Sequence, residues 1–417
     1  MAKRTDIPKR SEVDPVYQWH LNDIYADTAA WESDFKKAQA LMKDMESCKG
    51  TLSGSRNDVL KALTTFADLN RVVERLVVYA YMKKDEDNAN TESQAHMDRA
   101  QSLSVQAGTA ASWLTPELLT IPEDVLTGYM EDNDFSEYSH FLDNVNRQRA
   151  HTLGEKEEQL LAMAGEVAEA PRQVFLMLNN ADMKFPNIKD EEGHEVEMSH
   201  GRYIRFLESK DRSVRKAAYE AMYDTFIKQK NTISTAYSYS VKKDLFLSTA
   251  RKYSSARAMS LDEDNVPESV YDNLIASVRD HLPALQRYLD IRRRVLGLDK
   301  LSMYDVYVPL MEDVHMHIPY DEGKQMILDG LTGMGAEYAG LLKESYDGGW
   351  IDVMENQGKT SGAYSWGCYD SHPYVLMNYQ DTVDSVFTLA HELGHSMHSY
   401  LSNKHQPYMK AEYTIFV

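Results

Sequence analysis

The chain has 417 residues, with 45 Lys and Arg against 65 Asp and Glu, so its formal net charge is −20 at pH 7. A chain this acidic lacks the basic footprint that binds nucleic-acid phosphates or an anionic membrane surface, and we expect neither partner. Its hydrophobic content of 43% is ample for packed cores, so a mainly disordered chain is excluded.

The first half of the chain has the pattern of helices separated by short polar breaks. Asp27 is placed to cap a helix whose apolar residues recur every three or four positions until Gly50 ends it. Further helices are predicted over about 57–82, 92–114 and 152–163. Only 12 prolines and 20 glycines occur in the chain, which also favours long helices and a mainly α fold.

The pattern changes between about residues 182 and 200, where a Gly-bearing turn separates two short extended stretches. We predict a β-hairpin there and take it as the boundary between two lobes. The expected domains are an N-terminal helical domain over 1–200 and a catalytic domain over 201–417. Asp211 is placed to cap the first long helix after this boundary.

A second β signal lies at 361–379. Two short runs rich in Tyr, Trp and Val flank a turn that contains Asp370 and Pro373, which predicts a second hairpin. It ends just before the segment that carries the most specific chemical signal in the chain, so we expect small β elements beside an active-site helix.

That segment, His391-Glu392-Leu393-Gly394-His395, matches the His-Glu-x-x-His pattern of zinc peptidases. The four-residue spacing places both imidazoles on one side of a helix, where they can bind one tetrahedral ion. Glu392 projects about 100° round the helix from His391, within reach of a metal-bound water. We predict one zinc per chain with His391 and His395 as ligands and Glu392 as general base, zinc being preferred to manganese or cobalt from the ligand type.

The helix itself is predicted from a continuous apolar stripe of period 3.6. The stripe consists of Val383, Val386, Phe387, Ala390, Leu393, Met397 and Leu401. The alternative is an amphipathic helix that holds two histidines and a glutamate by chance, which the full motif on a periodic helix disfavours. The longer metzincin motif has a Gly and a third His where this sequence has His398 and Leu401, so we expect His398 near the site or on the surface, and His405 in a loop.

A catalytic zinc usually has three protein ligands and an open water position. After His395 the only carboxylate is Glu412, and the chain ends on the apolar residues Ile415, Phe416 and Val417 without a helix stop. This ending indicates a chain cut short.

The sequence resembles the oligoendopeptidase F group of the thimet-oligopeptidase-like family of zinc metallopeptidases. The resemblance rests on the zinc motif with the following 396–400, on Gly362-Ala363-Tyr364-Ser365, and on the stretches 17–23 and 211–218. It implies a two-lobed, zincin-like helical fold, His391 and His395 as zinc ligands, Glu392 as base, and a third Glu ligand just beyond Val417. The incomplete site would leave the activity of these 417 residues alone low or absent.

The resulting hypothesis is a zinc metalloendopeptidase that hydrolyses oligopeptides, with Gly362 and Tyr364 as candidate substrate contacts. The predicted hairpin at 363–379 would offer an extended peptide a strand edge, or would be purely structural. Two alternatives stay open: a zinc carboxypeptidase or dipeptidase on a similar helical scaffold, and a catalytically inert helical fragment.

The expected location is a reducing cytoplasm. Only Cys48 and Cys368 occur, which excludes a disulfide framework. No stretch approaches the roughly 18 consecutive apolar residues of a membrane helix. Residues 1–6 carry positive charge without the apolar core of a secretory signal.

Overall fold

A computed structural model describes residues 7–311 and 316–414. The first six residues, considered above for a secretory signal, and the terminal residues Ile415, Phe416 and Val417 lie outside the described residues. Across the described ranges, no helix combines the length and the apolarity needed to cross a bilayer.

The described chain is built from sixteen α-helices and five short strands, which confirms the predicted mainly α fold. The first eight helices are α1 (Thr28–Cys48), α2 (Arg56–Asp85), α3 (Thr91–Ala111), α4 (Leu114–Leu118), α5 (Glu123–Met130), α6 (Ser139–Arg147), α7 (Glu155–Ala168) and α8 (Ala170–Met177). The others are α9 (His200–Leu207), α10 (Arg212–Lys228), α11 (Lys230–Ala250), α12 (Ala256–Glu263), α13 (Glu268–Val295), α14 (Tyr320–Gly330), α15 (Ala336–Asp347) and α16 (Val383–His405). The strands are β1 (Asn187–Lys189), β2 (Glu195–Glu197), β3 (Ile351–Asp352), β4 (Tyr364–Trp366) and β5 (Tyr374–Leu376).

Side-chain caps fix where several helices begin. Asp27 accepts the Ala30 N–H at the start of α1, as predicted, and Asp211 accepts the Ser213 N–H at the start of α10. The start predicted at Thr152 is wrong by two residues, because Gly154 is the N-cap of α7.

The hairpin predicted between residues 182 and 200 is confirmed. β1 and β2 pair antiparallel with Ile188 opposite Val196. Ile188 packs with α9 and α10 in a small apolar cluster that includes Phe206 and Val214. The division of the chain at residue 200 stays a prediction.

The second predicted hairpin is also confirmed, but it belongs to a three-stranded sheet of order β3-β5-β4. β4 pairs antiparallel with β5, while β3, which was not predicted, pairs parallel with β5. β3 has only two residues, Ile351 and Asp352, and such a short strand carries no periodicity in the sequence.

This sheet lies between two helical cores, because successive side chains on a strand point to opposite faces. Tyr374 and Leu376 pack into the core of the N-terminal helices, around buried residues such as Trp31 and Leu76. Val375, between them, packs into the core behind α16. One strand therefore connects the two cores.

A buried ion cluster ties the N-terminal segment to β3. The Asp352 carboxylate is fully buried and accepts hydrogen bonds from Arg10, with an Nη1–Oδ1 distance of 2.7 Å, while the Lys359 ammonium lies 2.6 Å from Oδ1. Burial alone would raise the pKa of Asp352, but the two cations outweigh it and hold that pKa below its usual value. A buried carboxylate without a cationic partner would destabilise the fold. The cluster therefore favours one arrangement of the N-terminal segment against β3.

Candidate metal centre and active site

The zinc-motif segment forms the long helix predicted for it. Thr382 caps α16 by accepting the Ser385 N–H, and Leu393 and Met397 of the predicted stripe are buried against the sheet. The predicted stripe is wrong at Phe387, whose side chain is 72% exposed; Leu389 fills the core instead.

The two histidines of the motif lie side by side on α16. The Nε2 atoms of His391 and His395 are 3.1 Å apart and their rings are nearly perpendicular. Two nitrogens bound to one tetrahedral zinc at about 2.0–2.1 Å would lie about 3.3 Å apart. The imidazole pair therefore has the spacing that a shared zinc ion requires.

Glu392 lies between the histidines and the edge of the sheet. Burial raises the pKa of this carboxyl above its usual value, opposed by the charges of His391 and His395 and by a hydrogen bond that the Ser365 N–H donates to it. A carboxylate with a raised pKa accepts and returns protons closer to neutral pH.

A pair of serines, which the sequence reasoning missed, joins α16 to β4. The Ser396 hydroxyl is completely buried and donates to the Glu392 carbonyl oxygen at 3.1 Å. The Ser365 Oγ lies 2.8 Å from the Ser396 Oγ. The four-residue spacing of Glu392 and Ser396 was a visible signal for the first contact, since Ser often donates to the carbonyl one helical turn earlier.

The substrate contacts predicted at Gly362 and Tyr364 lie in the segment that enters β4. Tyr364 faces away from α16, toward the N-terminal helices, and its hydroxyl donates to the Asp85 Oδ2 at 2.8 Å. Gly362 has a φ of 86°, which favours glycine, and its carbonyl accepts from Asn378. Both predicted contacts stay predictions, and it is Ser365 whose backbone meets Glu392.

The remaining motif neighbours are engaged elsewhere. The His398 ring stacks on Tyr413 at a centroid distance of 4.1 Å, and His405 is exposed at the end of α16. Glu412 lies beside Glu74 and Tyr408, since its charge raises the pKa of both groups.

A third metal ligand does not accompany the histidine pair in the described ranges. Across 7–311 and 316–414, no further His, Cys, Asp or Glu places a ligand atom within 4.8 Å of both imidazole nitrogens. The same search finds one cluster of three such residues, Asp190, Glu192 and His194, at the tip of the β1–β2 hairpin. Asp190 there accepts the backbone N–H groups of the other two, which is the geometry of a turn.

Comparison with known proteins connects this geometry to a family. Residues 205–417, more than half of the chain, match the pattern described as Peptidase family M3. The chain belongs to peptidase family M3. A second match, described as Oligopeptidase F, covers residues 117–185, within the N-terminal helices.

Curated M3 relatives and a solved structure match across most of the chain. Oligopeptidase PepF of Bacillus subtilis is 44% identical over 416 residues, which are 100% of this chain and 62% of PepF. Group B oligopeptidase PepB of Streptococcus agalactiae is 38% identical, covering 98% of this chain and 68% of PepB. The crystal structure of oligoendopeptidase-F from Enterococcus faecium superposes with a TM-score of 0.70 at 34% identity, over 89% of this chain and 63% of that chain. The chain thus spans about two thirds of the length of these relatives.

Proposed function

We propose that this protein is a metallo-oligopeptidase that hydrolyses internal peptide bonds of oligopeptides. The observation that carries the proposal is the pair of Nε2 atoms 3.1 Å apart on α16, with Glu392 between that pair and a strand edge. Membership of family M3 and the names of PepF and PepB support a peptidase that acts on short peptides.

The proposed cofactor is one zinc ion per chain. His391 and His395 would hold it through their Nε2 atoms, a donor type and spacing that suit zinc. When bound, zinc supplies Lewis acidity, which makes water a better nucleophile and polarises a carbonyl group. The proposed third ligand is a glutamate outside residues 1–417, and Glu412, held beside Glu74, does not take that role here.

Glu392 is the proposed general base. Its carboxylate takes the proton of the attacking water and then delivers it to the leaving amine, so one group serves both proton transfers. Burial raises its pKa, which makes the carboxylate a stronger base for the first transfer, and the Ser365 N–H stabilises the ionised form, which assists release of the proton in the second. The two serine hydroxyls hold this N–H against α16.

The proposed substrate position is the free edge of β4. β4 ends the strand order β3-β5-β4, so one of its edges has no strand partner in the sheet. The N–H and C=O of one strand residue point to the same side, and the Ser365 N–H points to Glu392 rather than to β5. The Ser365 carbonyl therefore faces the same side and can accept an N–H from an extended peptide. In this arrangement Gly362 would admit the peptide backbone, and Tyr364 would support the strand from behind.

Space beside the imidazoles is consistent with this arrangement. Apart from the adjacent residues and the nearby backbone of α16 itself, no described atom lies within 4 Å of where a Gly394 side chain would begin. The exposed Phe387 shares the helix face of His391 and His395. A peptide lying along β4 would meet an open helix surface with one aromatic side chain. The proposed location is the cytoplasm, a proposal that rests on the two free thiols Cys48 and Cys368.

Zinc titration tests the metal site. The protein to use is the metal-free product of the complete reading frame that contains these 417 residues. We expect one zinc per chain in the wild type and an affinity at least about a hundredfold lower in His391→Ala, since a direct ligand is removed. His398→Ala is the matched control, because it removes an imidazole from the same helix and should leave the affinity unchanged. Equal zinc affinity in His391→Ala and the wild type would exclude this site.

A further inference from the structure

A wide helical turn follows α8 in the chain. This π-turn spans Leu178–Asp182, and the Met183 N–H donates at 2.9 Å to the carbonyl of its first residue, five positions earlier. Such turns are rare, and proteins often place them at functional sites. The residue of this turn that reaches the proposed peptidase site is Asn180.

The side chain of Asn180 touches the segment of chain that enters β4. Its Oδ1 lies 3.5 Å from the Ser361 Oγ. Ser361 lies four residues before Ser365, whose N–H reaches Glu392. At about 3.3 Å per extended residue, Asn180 therefore lies up to about 13 Å from Ser365 along the strand that borders the proposed peptide position.

The hydrogen bonds of the Asn180 side chain all end on its oxygen. The Asn179 Nδ2 donates to the Asn180 Oδ1 at 2.8 Å, and the Ser361 hydroxyl approaches the same atom. The Asn180 Nδ2 has no hydrogen-bond partner within residues 7–311 and 316–414, and the side chain is half-buried. An amide held by its oxygen presents two N–H groups to an incoming acceptor such as a peptide carbonyl.

The π-turn is held on its other side by His200 of α9. The His200 ring donates to the Asn179 carbonyl and packs edge-on against Phe185 at a centroid distance of 4.8 Å. Burial lowers the pKa of His200, which keeps the ring neutral near pH 7. The backbone beside Asn180 is thus fixed before any ligand binds, and such preorganisation reduces the entropy that binding costs.

A contact from α8 itself reaches the far end of β4. The Arg172 Nη2 donates to the Tyr81 hydroxyl at 3.2 Å, and the Tyr81 ring meets the Trp366 ring edge-on at a centroid distance of 5.3 Å. Trp366 is the last residue of β4. Helix α8 and its π-turn therefore run beside β4 from one end to the other.

We propose that Asn180 binds the backbone of the substrate, its Nδ2 donating to a carbonyl of a peptide extended along β4, up to about four residues from the bond that is cleaved. The inference rests on the proposed function, because the peptide position is the edge of β4. An asparagine amide that meets a backbone carbonyl is indifferent to the side chains of the peptide. The contact therefore favours peptides by their reach from Ser365 to Ser361 and not by their sequence.

The test compares two peptides, both blocked at each end, with the zinc-loaded product of the complete reading frame. The long peptide has about five residues on each side of the cleaved bond, and the short one has about two. Asn180→Asp keeps an oxygen for Asn179 and Ser361 and removes the N–H groups. We expect it to raise the KM of the long peptide at least about fivefold and to change kcat less than about twofold, since a contact made equally in the ground state and the transition state alters KM alone. The KM of the short peptide should change by less than about twofold.

The matched control is Asn70→Asp, at a half-buried asparagine whose amide donates to the Phe66 carbonyl within α2. It should leave the KM of both peptides within about twofold of the wild type. Unchanged zinc affinity and urea denaturation of Asn180→Asp would show that its fold is intact. Should that variant not fold, Asn180→Ala removes the same donor without adding a charge, and the same result is expected.

Three results would overturn the inference. An unchanged KM of the long peptide in a folded Asn180 variant would do so while the proposed function stands. An equal rise in KM for both peptides would also do so, because the contact would then not lie beyond the reach of the short one. If the zinc-loaded wild type cleaves neither peptide, the proposed function fails and this inference fails with it.

Discussion

The buried hydroxyl of Ser396 links the edge strand β4 to the helix α16. It donates to the Glu392 carbonyl and contacts the Ser365 hydroxyl 2.8 Å away, and the Ser365 N–H in turn reaches the Glu392 carboxylate. Two small hydroxyls thus connect the backbone of α16 with the backbone of β4. Because Ser396 is fully buried, its hydrogen bonds have no competition from water.

We expect Ser396→Ala to lower the free energy of unfolding by about 1 kcal/mol, and by more if the Ser365 hydroxyl is left without a partner. A double-mutant cycle with Ser365→Ala, followed by urea denaturation, should give a coupling energy of at least about 0.5 kcal/mol. Ser399→Ala is the control, since its hydroxyl contacts Tyr413 on a more exposed side of α16. Additive effects of the two substitutions would show that the serines do not act together.

Among the candidate site residues, the sequence predicted those whose positions depend only on their spacing within one helix. The spacing of His391 and His395 predicted two side chains on one helix face, because helical periodicity is independent of the rest of the fold. Choosing between Tyr364 and Ser365 required knowing which face of β4 meets α16. The alternation of side chains along a strand predicts that Tyr364 and Ser365 point to opposite faces of β4. Only the packing of the sheet shows which of the two faces meets α16.

Among the elements, the turn after α16 is held against α2 by a buried carboxyl group. Glu74 on α2 receives hydrogen bonds from the Tyr369 N–H and the Tyr408 hydroxyl, while its Oε2 is buried with no hydrogen-bond partner among the described residues. Burial, the largest effect, raises the pKa of Glu74 to about 7, and the charge of Glu412 adds to it. Burial therefore favours the protonated form of Glu74, although the two hydrogen bonds oppose it.

We expect the protein to lose stability as pH rises through about 7, the pKa of Glu74 in the folded state. An acid whose pKa is raised on folding stabilises the protein fully below its unfolded pKa, and that contribution disappears as pH passes the folded pKa. Glu74→Gln mimics the protonated form, so its advantage over the wild type should grow by about 3 kcal/mol from pH 4.5 to 8. Urea denaturation across this range measures the difference.

The exposed Glu46→Gln variant on α1 serves as the control for this pH series. The unfolding free energy of this variant should change with pH in parallel with that of the wild type, because Glu46 lies in solvent. A constant difference between Glu74→Gln and the wild type over the whole range would contradict a raised pKa for Glu74.

The helices were predictable because capping and apolar period are both local signals, as α1 and α10 show. β3 was not predictable, since its two residues are defined by pairing with β5 from a distant part of the chain. The start of α7 was misplaced because Thr152 and Gly154 both precede acidic residues at capping distance, and only the backbone geometry distinguishes them.

For the whole molecule, the small sheet joins the N-terminal helices to the core behind α16, the helix that carries the proposed metal ligands. Tyr374 is completely buried and contacts the Trp19 ring edge-on, at a centroid distance of 6.1 Å. Val375, its neighbour on β5, belongs to the core behind α16. The sheet formed by residues 351–376 thus completes the core of the N-terminal helices.

We expect Tyr374→Ala to destabilise the protein by about 3–5 kcal/mol, since it removes a large buried aromatic side chain. The effect should reach both cores. Hydrogen exchange should speed up in α2 and in α16 together, while the exposed Tyr237→Ala changes neither. Faster exchange confined to one of the two helices would show that the cores are independent.

The most direct test of the proposed function is cleavage of an oligopeptide blocked at both ends, by the zinc-loaded product of the complete reading frame. An endopeptidase cleaves such a substrate, whereas a carboxypeptidase or dipeptidase does not. We predict cleavage by the wild type and a loss of at least about a hundredfold in Glu392→Gln, with zinc affinity retained, because only the general base is removed. Failure of the zinc-loaded wild type to cleave any blocked oligopeptide, or cleavage by Glu392→Gln at the wild-type rate, would contradict it.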